Sequence, residues 1–584
     1  MVVNRSVQTE KKDVSDLIVI GAGAGGMTTA LVAALQGLSV TLCEATEQVG
    51  GTTATSAGTI WIPGNHQSKE IGLDDSLENG RVYLDAILGK EDPHGRRSAY
   101  LGTADEAIAF LESRSEIKFV PAGIHPDYLQ FPGAAVSGRA LGPAEFDGRR
   151  LGSEFRRIRP PLQDLMILGG MMAGKADVKA LIGRYRNWNN FFHSAKILAR
   201  YGQDRLSYRR GTRLVLGNAL IARLYYSLRQ AGVIVRFNTE LCDLVRDRGR
   251  VTGALVNEGG TRLLLHTRLG VVLATGGIGH NRTLRSSLWS NNASFPSLAF
   301  ERNRGDGIVA AQRAGAVLDR HKDSFFWQPV SRIPEKGGSE RLFPHLYLDR
   351  TKPGIIAVDG TGNRFANEAA SYHHFVEAMW ARNGSDNAIP CYFICDSLFV
   401  RSYGLGIIAP GTRFFQRYEE SGYIKTDPTL AGLAKKIGVE PQSLLLSVKK
   451  NNQYALTGHD ADFGQGSTLL NTFNGDPGHK PNPCLGQISA PPFFALAIWP
   501  ADAASSTGLA TDADGVVLDE NGSRICGLYA CGNDMASIMN GAYPGPGITI
   551  GPAMVFGYRI ALHAKRMLSR SQEHLAMRNF HESK

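Results

Sequence analysis

A chain of 584 residues, 43% hydrophobic and 20% charged, is too long and too evenly mixed for a disordered or fibrous protein and can support two or more domains with ample cores. Its net charge of +10, from 64 basic and 54 acidic residues, is modest for this length, and no basic run interleaved with aromatics supports a nucleic-acid partner. The 7 cysteines are scattered and lack a C-x-x-C pair, which argues against a disulfide framework or a metal site and fits a reducing, cytoplasmic setting.

The residues before Leu17 are polar and charged, without the apolar core of a signal peptide. The uncharged run from Leu17 to Leu35 is about long enough to span a bilayer, but its clustered glycines give it a better explanation. Leu17-Ile18-Val19-Ile20 reads as a buried parallel strand, Gly21-Ala22-Gly23-Ala24-Gly25-Gly26 as a turn, and the residues through Leu35 as a helix. A second strand follows from Ser39 to Leu42, ahead of Glu44. This is the βαβ dinucleotide fingerprint: Gly21 turns the chain, Gly23 lets pyrophosphate approach the backbone, and Gly26 lets helix pack on strand. Glu44 stands where an acid accepts hydrogen bonds from ribose hydroxyls. Gly50-Gly51-Thr52-Thr53, soon after, tilts the cofactor toward FAD rather than NAD.

From Pro160 to Arg210 the chain carries apolar clusters, among them Leu181, Trp188, Phe191 and Phe192. Basic residues are interspersed at Arg184, Arg186, Lys196, Arg200, Arg205, Arg209 and Arg210. Such a pattern suits either a helix lying on a membrane interface or a helical hairpin packed on its own protein. Further on, Gly270 to Gly277 reads as a strand ending in a small-residue turn at Ala274, Thr275 and Gly276. Gly527 to Asp534 is another strand ending at glycine, with Asn533 just beyond. Together with the fingerprint, these strand ends can converge on one bound flavin.

The loop Gly541-Ala542-Tyr543-Pro544-Gly545-Pro546-Gly547-Ile548-Thr549-Ile550-Gly551-Pro552 is stiffened by proline and given unusual turns by glycine. It offers one phenol, Tyr543, and one exposed amide, that of Gly547. The amphipathic pattern Ala553–His563 places a helix N-terminus behind it. Two donors beside a helix N-terminus suit a site where negative charge develops on an oxygen or a cofactor ring.

With these residues in view, the chain resembles the fumarate reductase/succinate dehydrogenase flavoprotein superfamily and, within it, the 3-ketosteroid Δ1-dehydrogenases. Besides the fingerprint and the Tyr-Pro-Gly-Pro-Gly loop, the resemblance runs through Arg304-Gly305-Asp306-Gly307-Ile308, Asn363-Arg364-Phe365-Ala366-Asn367-Glu368 and Pro500-Ala501-Asp502. It implies an α/β fold: a Rossmann-like FAD-binding domain built from discontinuous segments, 13–330 and 498–572, with an inserted α+β substrate domain over 331–497 and a polar tail over 573–584. Thr52 to Ile60 lacks the histidine through which succinate dehydrogenases attach their flavin, so FAD is expected to be non-covalent. Ser505-Ser506-Thr507-Gly508-Leu509 stands where fumarate reductases carry His-Thr-Met-Gly-Gly, against a small dicarboxylate substrate.

The resemblance also implies roles. Tyr543 and the Gly547 amide hold a C3 carbonyl oxygen, Tyr372 abstracts the C2 proton, and Tyr128 hydrogen-bonds Tyr372, while the C1 hydride leaves to flavin N5. Cofactor contacts are implied for Gly51, Thr52, Thr53 and Ile548, and for Ala274, Thr275, Gly276 and Asn533. The implied partners are a 3-ketosteroid or sterol-derived ketone and a quinone-like electron acceptor, with 160–210 as a peripheral membrane contact and lipid-facing entrance. Two neighbouring activities share this pattern: Δ4-(5α) dehydrogenation, and a fumarate-reductase-like reduction of another activated C=C. A flavin-binding redox partner or sensor is a third, non-enzymatic reading, against which both Tyr372 and Tyr543 speak.

Overall fold

The computed structural model describes residues 14–184, 187–289, 295–321, 324–386 and 389–582. The first apolar run forms the strand Val14–Ile20, buried from Ser15 onward. A strand buried on both faces belongs in the middle of a sheet. It pairs in parallel with Thr261–Leu273 on one side and Val40–Cys43 on the other. Ile234–Arg236 continues the sheet beyond Val40–Cys43; Arg524–Ala530 and Val516–Leu518 continue it beyond Thr261–Leu273. An antiparallel ribbon, Thr239–Asp247 and Arg250–Glu258, folds against Thr261–Leu273 and completes eight strands.

The helix Ala24–Leu35 is buried from Ala24 to Ala33. The uncharged run from Leu17 to Leu35 is therefore strand, turn and helix inside a core, and no helix among the described residues is long and apolar enough to cross a membrane. The last helix, Ile550–Glu582, packs along Ala24–Leu35. Gly557 permits the approach, since a Cβ there would meet the Gly25 carbonyl oxygen at 2.8 Å. This crossing carries the N-terminus of the last helix over the glycine turn. The residues read as a polar tail continue the same helix to Glu582.

A second, six-stranded sheet takes in Glu340–Pro344, Phe325–Pro334, Phe493–Ser505, Cys391–Asp396, Ile355–Val358 and Lys425–Asp427. Its two long strands, Phe325–Pro334 and Phe493–Ser505, pair antiparallel and run past positions 331 and 497. The helix Tyr372–Asp386 packs against Phe325–Pro334, which brings its first residue, Tyr372, to the junction of the two sheets.

Within 160–210, the helices Lys175–Ile182 and Trp188–Asp204 pack on each other. Ser194, Ile197 and Asp204 face inward. The opposite side presents Trp188 and Phe192, 74% and 64% exposed, with Phe191 between them. Arg186 lies outside the described residues.

Candidate active site

One cavity of about 470 Å³ runs from the glycine turn to the Pro-Gly loop. At its first end the three fingerprint glycines have three different surroundings. Gly21 has φ +105°, and a Cβ on it would meet the Ala274 carbonyl oxygen at 2.1 Å. A Cβ on Gly26 would meet the Gly21 carbonyl oxygen at 1.9 Å, whereas one on Gly23 would meet nothing within 4 Å. The outer glycines are forced by packing, and the middle one faces open space where a pyrophosphate can reach the backbone. Glu44 is held by the N–H of Ala22 at 3.1 Å and of Thr46 at 3.0 Å, and burial raises its pKa. A carboxylate fixed in this way beside the cradle is placed to accept from ribose hydroxyls. These features fit FAD.

Gly51, Thr52, Thr53, Ala274, Thr275, Gly276 and Asn533 all line the same cavity. Gly26 packs behind the wall, and Ile548 faces a separate small cavity next to Asn533. The Thr52 hydroxyl accepts from the Phe300 N–H at 2.9 Å and from Asn303 Nδ2 at 3.1 Å, so the double-glycine loop also anchors the 300s loop. Asp534, not anticipated from sequence, organises the Ala274–Gly277 turn. It accepts from the N–H and hydroxyl of Thr275 and from the Gly277 N–H, and burial raises its pKa.

At the other end three phenols meet. The Tyr372 hydroxyl donates to Tyr543 Oη at 2.8 Å, and Tyr128 Oη lies 3.5 Å from Tyr372 Oη. The Tyr128 and Tyr543 rings stack at 5.7 Å, while Tyr372 stands edge-on to both, at 5.8 and 5.2 Å. Burial pushes all three phenol pKa values up; for Tyr372 its hydrogen bonds with Tyr128 and Tyr543 and the positive charge of Arg350 work in the opposite direction. A fourth tyrosine, Tyr347, sits 5.6 Å from the Tyr372 ring. Only its residue type could have marked it in the sequence. Gly547 has φ +90°, and a Cβ there would meet the Thr59 carbonyl oxygen at 2.6 Å. Among the described residues no acceptor takes its N–H.

The Pro-Gly loop is fixed from the N-terminal part of the chain. The Pro544 carbonyl accepts from the Tyr128 N–H at 2.8 Å and from the Tyr83 hydroxyl at 2.7 Å. Beneath it, Arg139 bridges Asp75 at 3.0 Å and Asp127 at 2.6 Å, all buried, and the Trp61 indole N–H donates to Asp127 at 2.8 Å. Gly545 lies so close that a Cβ would meet Trp61 Nε1 at 2.8 Å and Asp127 Oδ1 at 2.9 Å. One hydrogen-bonded unit therefore sets the spacing of Tyr128 and Tyr543.

Neighbouring histidines are committed elsewhere. His373 Nδ1 accepts the Trp327 N–H at 3.1 Å, and its Nε2 lies 3.2 Å from Glu377. His374 pairs with Ser371 Oγ at 2.5 Å, and burial pushes its pKa down to about 4. Phe326 stands 5.3 Å from the Tyr543 ring, and Leu298, Leu346, Leu162, Leu165 and Met172 also line the cavity, with Gln328 and His125 among its polar residues. Arg302, the guanidinium among the lining residues, pairs with Glu240, beside the strand start that bonds Glu44. Among the described residues no group of three or more His, Cys, Asp or Glu is placed to hold a metal ion.

The FAD binding domain family model matches residues 16–550. A 4-oxocyclohex-2-ene-1-carboxylate 5-dehydrogenase of Sinomonas cyclohexanicum is 36% identical, over 97% of this chain and 96% of its own. A 3-oxosteroid 1-dehydrogenase of Mycobacterium tuberculosis is 35% identical, over 94% of this chain and 98% of its own. The crystal structure of 3-ketosteroid Δ1-dehydrogenase from Sterolibacterium denitrificans with 1,4-androstadiene-3,17-dione superposes with a TM-score of 0.89 at 35% identity, covering 95% of this chain and all of that one. The glycine cradle, the tyrosine cluster and these full-length likenesses agree: the chain belongs to the FAD-binding flavoprotein family, among the 3-ketosteroid dehydrogenases.

Proposed function

We propose that the protein is an FAD-dependent 3-oxosteroid 1-dehydrogenase, which introduces a C1=C2 double bond into a 3-ketosteroid. The observation that carries the reading is the meeting of Tyr128, Tyr372, Tyr543 and Gly547 at the apolar end of a cavity continuous with the FAD cradle. A ketone oxygen placed there accepts from the Tyr543 hydroxyl and the Gly547 N–H, which draws charge from the C2–H bond as an oxyanion hole does. Tyr372, as its phenolate, takes the C2 proton at its Oη, and Tyr128 stabilises that phenolate by donating a hydrogen bond to it. Bound in the cradle, FAD supplies the acceptor for the C1 hydride. The apolar walls exclude water and hold the hydrocarbon body, at about 25 cal/mol per Å² buried. In this reading 13–330 with 498–572 binds the cofactor and 331–497 shapes the substrate side.

The likeness to a cyclohexenone-carboxylate dehydrogenase raises a second reading, a small keto acid as substrate. That substrate needs a cation for its carboxylate, and the lining guanidinium, Arg302, is paired at the cofactor end. The apolar walls favour the steroid. Anaerobic titration with androst-4-ene-3,17-dione, cholest-4-en-3-one, 5α-androstane-3,17-dione and 4-oxocyclohexanecarboxylate, with product identification, tests both readings. Flavin bleaching by the steroids with a Δ1 product supports the proposal. A Δ4 product from the saturated steroid moves the chemistry to the adjacent carbon pair, and bleaching by the keto acid alone overturns the steroid assignment.

A quinone-like acceptor and a peripheral membrane contact through 160–210 complete the proposal. Leu162, Leu165 and Met172 of that segment line the cavity, while Trp188, Phe191 and Phe192 of its second helix are exposed. A lipid-borne ketone could thus pass from bilayer to cavity along one stretch of chain.

A further inference from the structure

Arg350 is fully buried, yet no carboxylate lies within ion-pair distance of it among the described residues. The acids on either side are engaged elsewhere. Asp349 faces the His345 ring at 2.6 Å and accepts the Gly406 N–H; Glu368 pairs with Arg364 at 2.7 Å and accepts the Ala357 N–H. Among the described residues the guanidinium donates only to carbonyls: Nε to His345 at 2.9 Å, and Nη1 to Glu368 and, at 2.8 Å, to Ala370. Nη2 has no partner. Burial pushes its pKa down to about 10, which leaves it a cation at neutral pH.

A buried cation without a direct ion pair is expensive to keep, and its position shows what it can act on. The Glu368 and Ala370 carbonyls belong to the turn that leads into the helix Tyr372–Asp386. The guanidinium carbon stands 5.7 Å from the Tyr347 ring and 5.5 Å from the ring of Phe375, on that helix. We infer that Arg350 is a positioning residue for the proton-abstracting Tyr372: it clamps the turn before the helix and supplies the positive potential under which the phenol can part with its proton. The inference rests on the reading of Tyr372 as the base.

Few other groups can set that potential. Tyr128 and Tyr543 face Tyr372 from across the cavity and Tyr347 from beside it; all are phenols that burial keeps neutral. The strand Phe325–Pro334 contributes Phe326 and Trp327, without charge, at the contact. On its own helix, His373 is bound to Trp327 and Glu377, and His374 to Ser371. Around Arg350 itself stand Tyr347, Tyr128, Asp349 and Glu368, and the two acids are paired as above. At an effective dielectric near 20, a full charge several ångströms from a phenol moves its pKa by about one to two units.

The test is the pH dependence of C2 proton exchange with deuterated water, without an electron acceptor, in the wild type, Arg350→Gln, Arg350→Lys and Tyr372→Phe. FAD content and steroid binding are measured on each. The expected result is a midpoint raised by about one to two pH units in Arg350→Gln and largely restored in Arg350→Lys, which keeps the charge. Exchange slowed by one factor at every pH, with an unmoved midpoint, overturns the inference, since a purely structural clamp would do that. Exchange surviving in Tyr372→Phe overturns the base assignment and this inference together; exchange abolished there with an unmoved Arg350→Gln midpoint overturns this inference alone. Should neither Arg350 variant retain FAD, the wild type decides through a steroid whose ring A is a phenol. Bound against Tyr543 and Gly547 it should ionise at least about one pH unit below its value in water, and an unlowered value overturns the inference.

Discussion

Replacing Tyr543 by Phe isolates the proposed carbonyl donor with little other change. The ring is held by stacking on Tyr128 at 5.7 Å, by the Phe326 edge at 5.3 Å and by His373 at 5.4 Å, and phenylalanine keeps all of these contacts. What leaves is one hydroxyl, whose described partner is Tyr372 Oη at 2.8 Å. In stability that is a single neutral hydrogen bond, about 1 kcal/mol. In the reaction it is one of two donors to an oxygen that gains charge, and losing such a donor costs about 10²- to 10³-fold, or roughly 3–4 kcal/mol of barrier. Because the donation strengthens as charge develops, kcat and kcat/KM should fall together rather than KM rising alone. Tyr372 also loses a hydrogen-bond partner, so a Tyr543→Phe/Tyr372→Phe double-mutant cycle should be strongly non-additive. The assay is anaerobic stopped-flow reduction of the bound flavin by androst-4-ene-3,17-dione, at matched FAD content. A rate within about threefold of wild type, where a lost donor predicts at least about 10²-fold, would refute the carbonyl-donor role and leave the loop a structural element.

The remaining predictions concern the base, the cofactor and the membrane. Tyr372→Phe should abolish C2 proton exchange while steroid binding survives, and Tyr128→Phe should slow exchange less; exchange that persists in Tyr372→Phe points to another base. Acid precipitation should release yellow flavin into the supernatant, because no histidine stands in the Thr52–Ile60 loop; flavin that stays with the pellet contradicts non-covalent binding. The protein should float with anionic liposomes at low salt, more weakly at high salt, and a variant with Leu181, Trp188, Phe191 and Phe192 changed to serine should not; wild type left in the soluble fraction removes the membrane proposal.

The parts of the site that could be read from the sequence are those fixed by backbone geometry over a few residues. Gly21 and Gly26 have no room for a Cβ and Gly23 faces open space, so their spacing alone carries the cradle. The Pro-Gly loop is legible for the same reason, with Gly547 at φ +90° against Thr59 and Ile60. Asp534 gives no such signal, because its partners Thr275 and Gly277 lie more than 250 positions away and only the meeting of two strand ends makes it a turn-former. Tyr347 and Arg350 are equally silent: a tyrosine and an arginine in an unremarkable run become neighbours of Tyr372 only once the second sheet has folded. The end of the chain shows the opposite error. Its polarity suggests a tail, but after Arg570 it contains neither glycine nor proline, so no helix breaker stands in the way of the helix Ile550–Glu582.

The arrangement also explains how phenols from three distant segments are held within hydrogen-bonding and stacking distance of one another. Tyr128 and Tyr543 do not depend on each other's side chains for their spacing, because the Pro544 carbonyl, next to Tyr543, binds the Tyr128 N–H directly. That link is backed by Tyr83 and by the buried Arg139 with Asp75 and Asp127. Tyr372 arrives from the second sheet on a helix whose start is clamped through the Glu368 and Ala370 carbonyls. The proposed carbonyl donor thus belongs to one hydrogen-bonded unit and the proposed base to the other, meeting at the 2.8 Å contact between Tyr372 and Tyr543. Because Tyr372 donates into Tyr543 Oη, the Tyr543 proton is left for a ketone oxygen, while Tyr372, as the proposed base, has to give up its own proton before it can take one from C2.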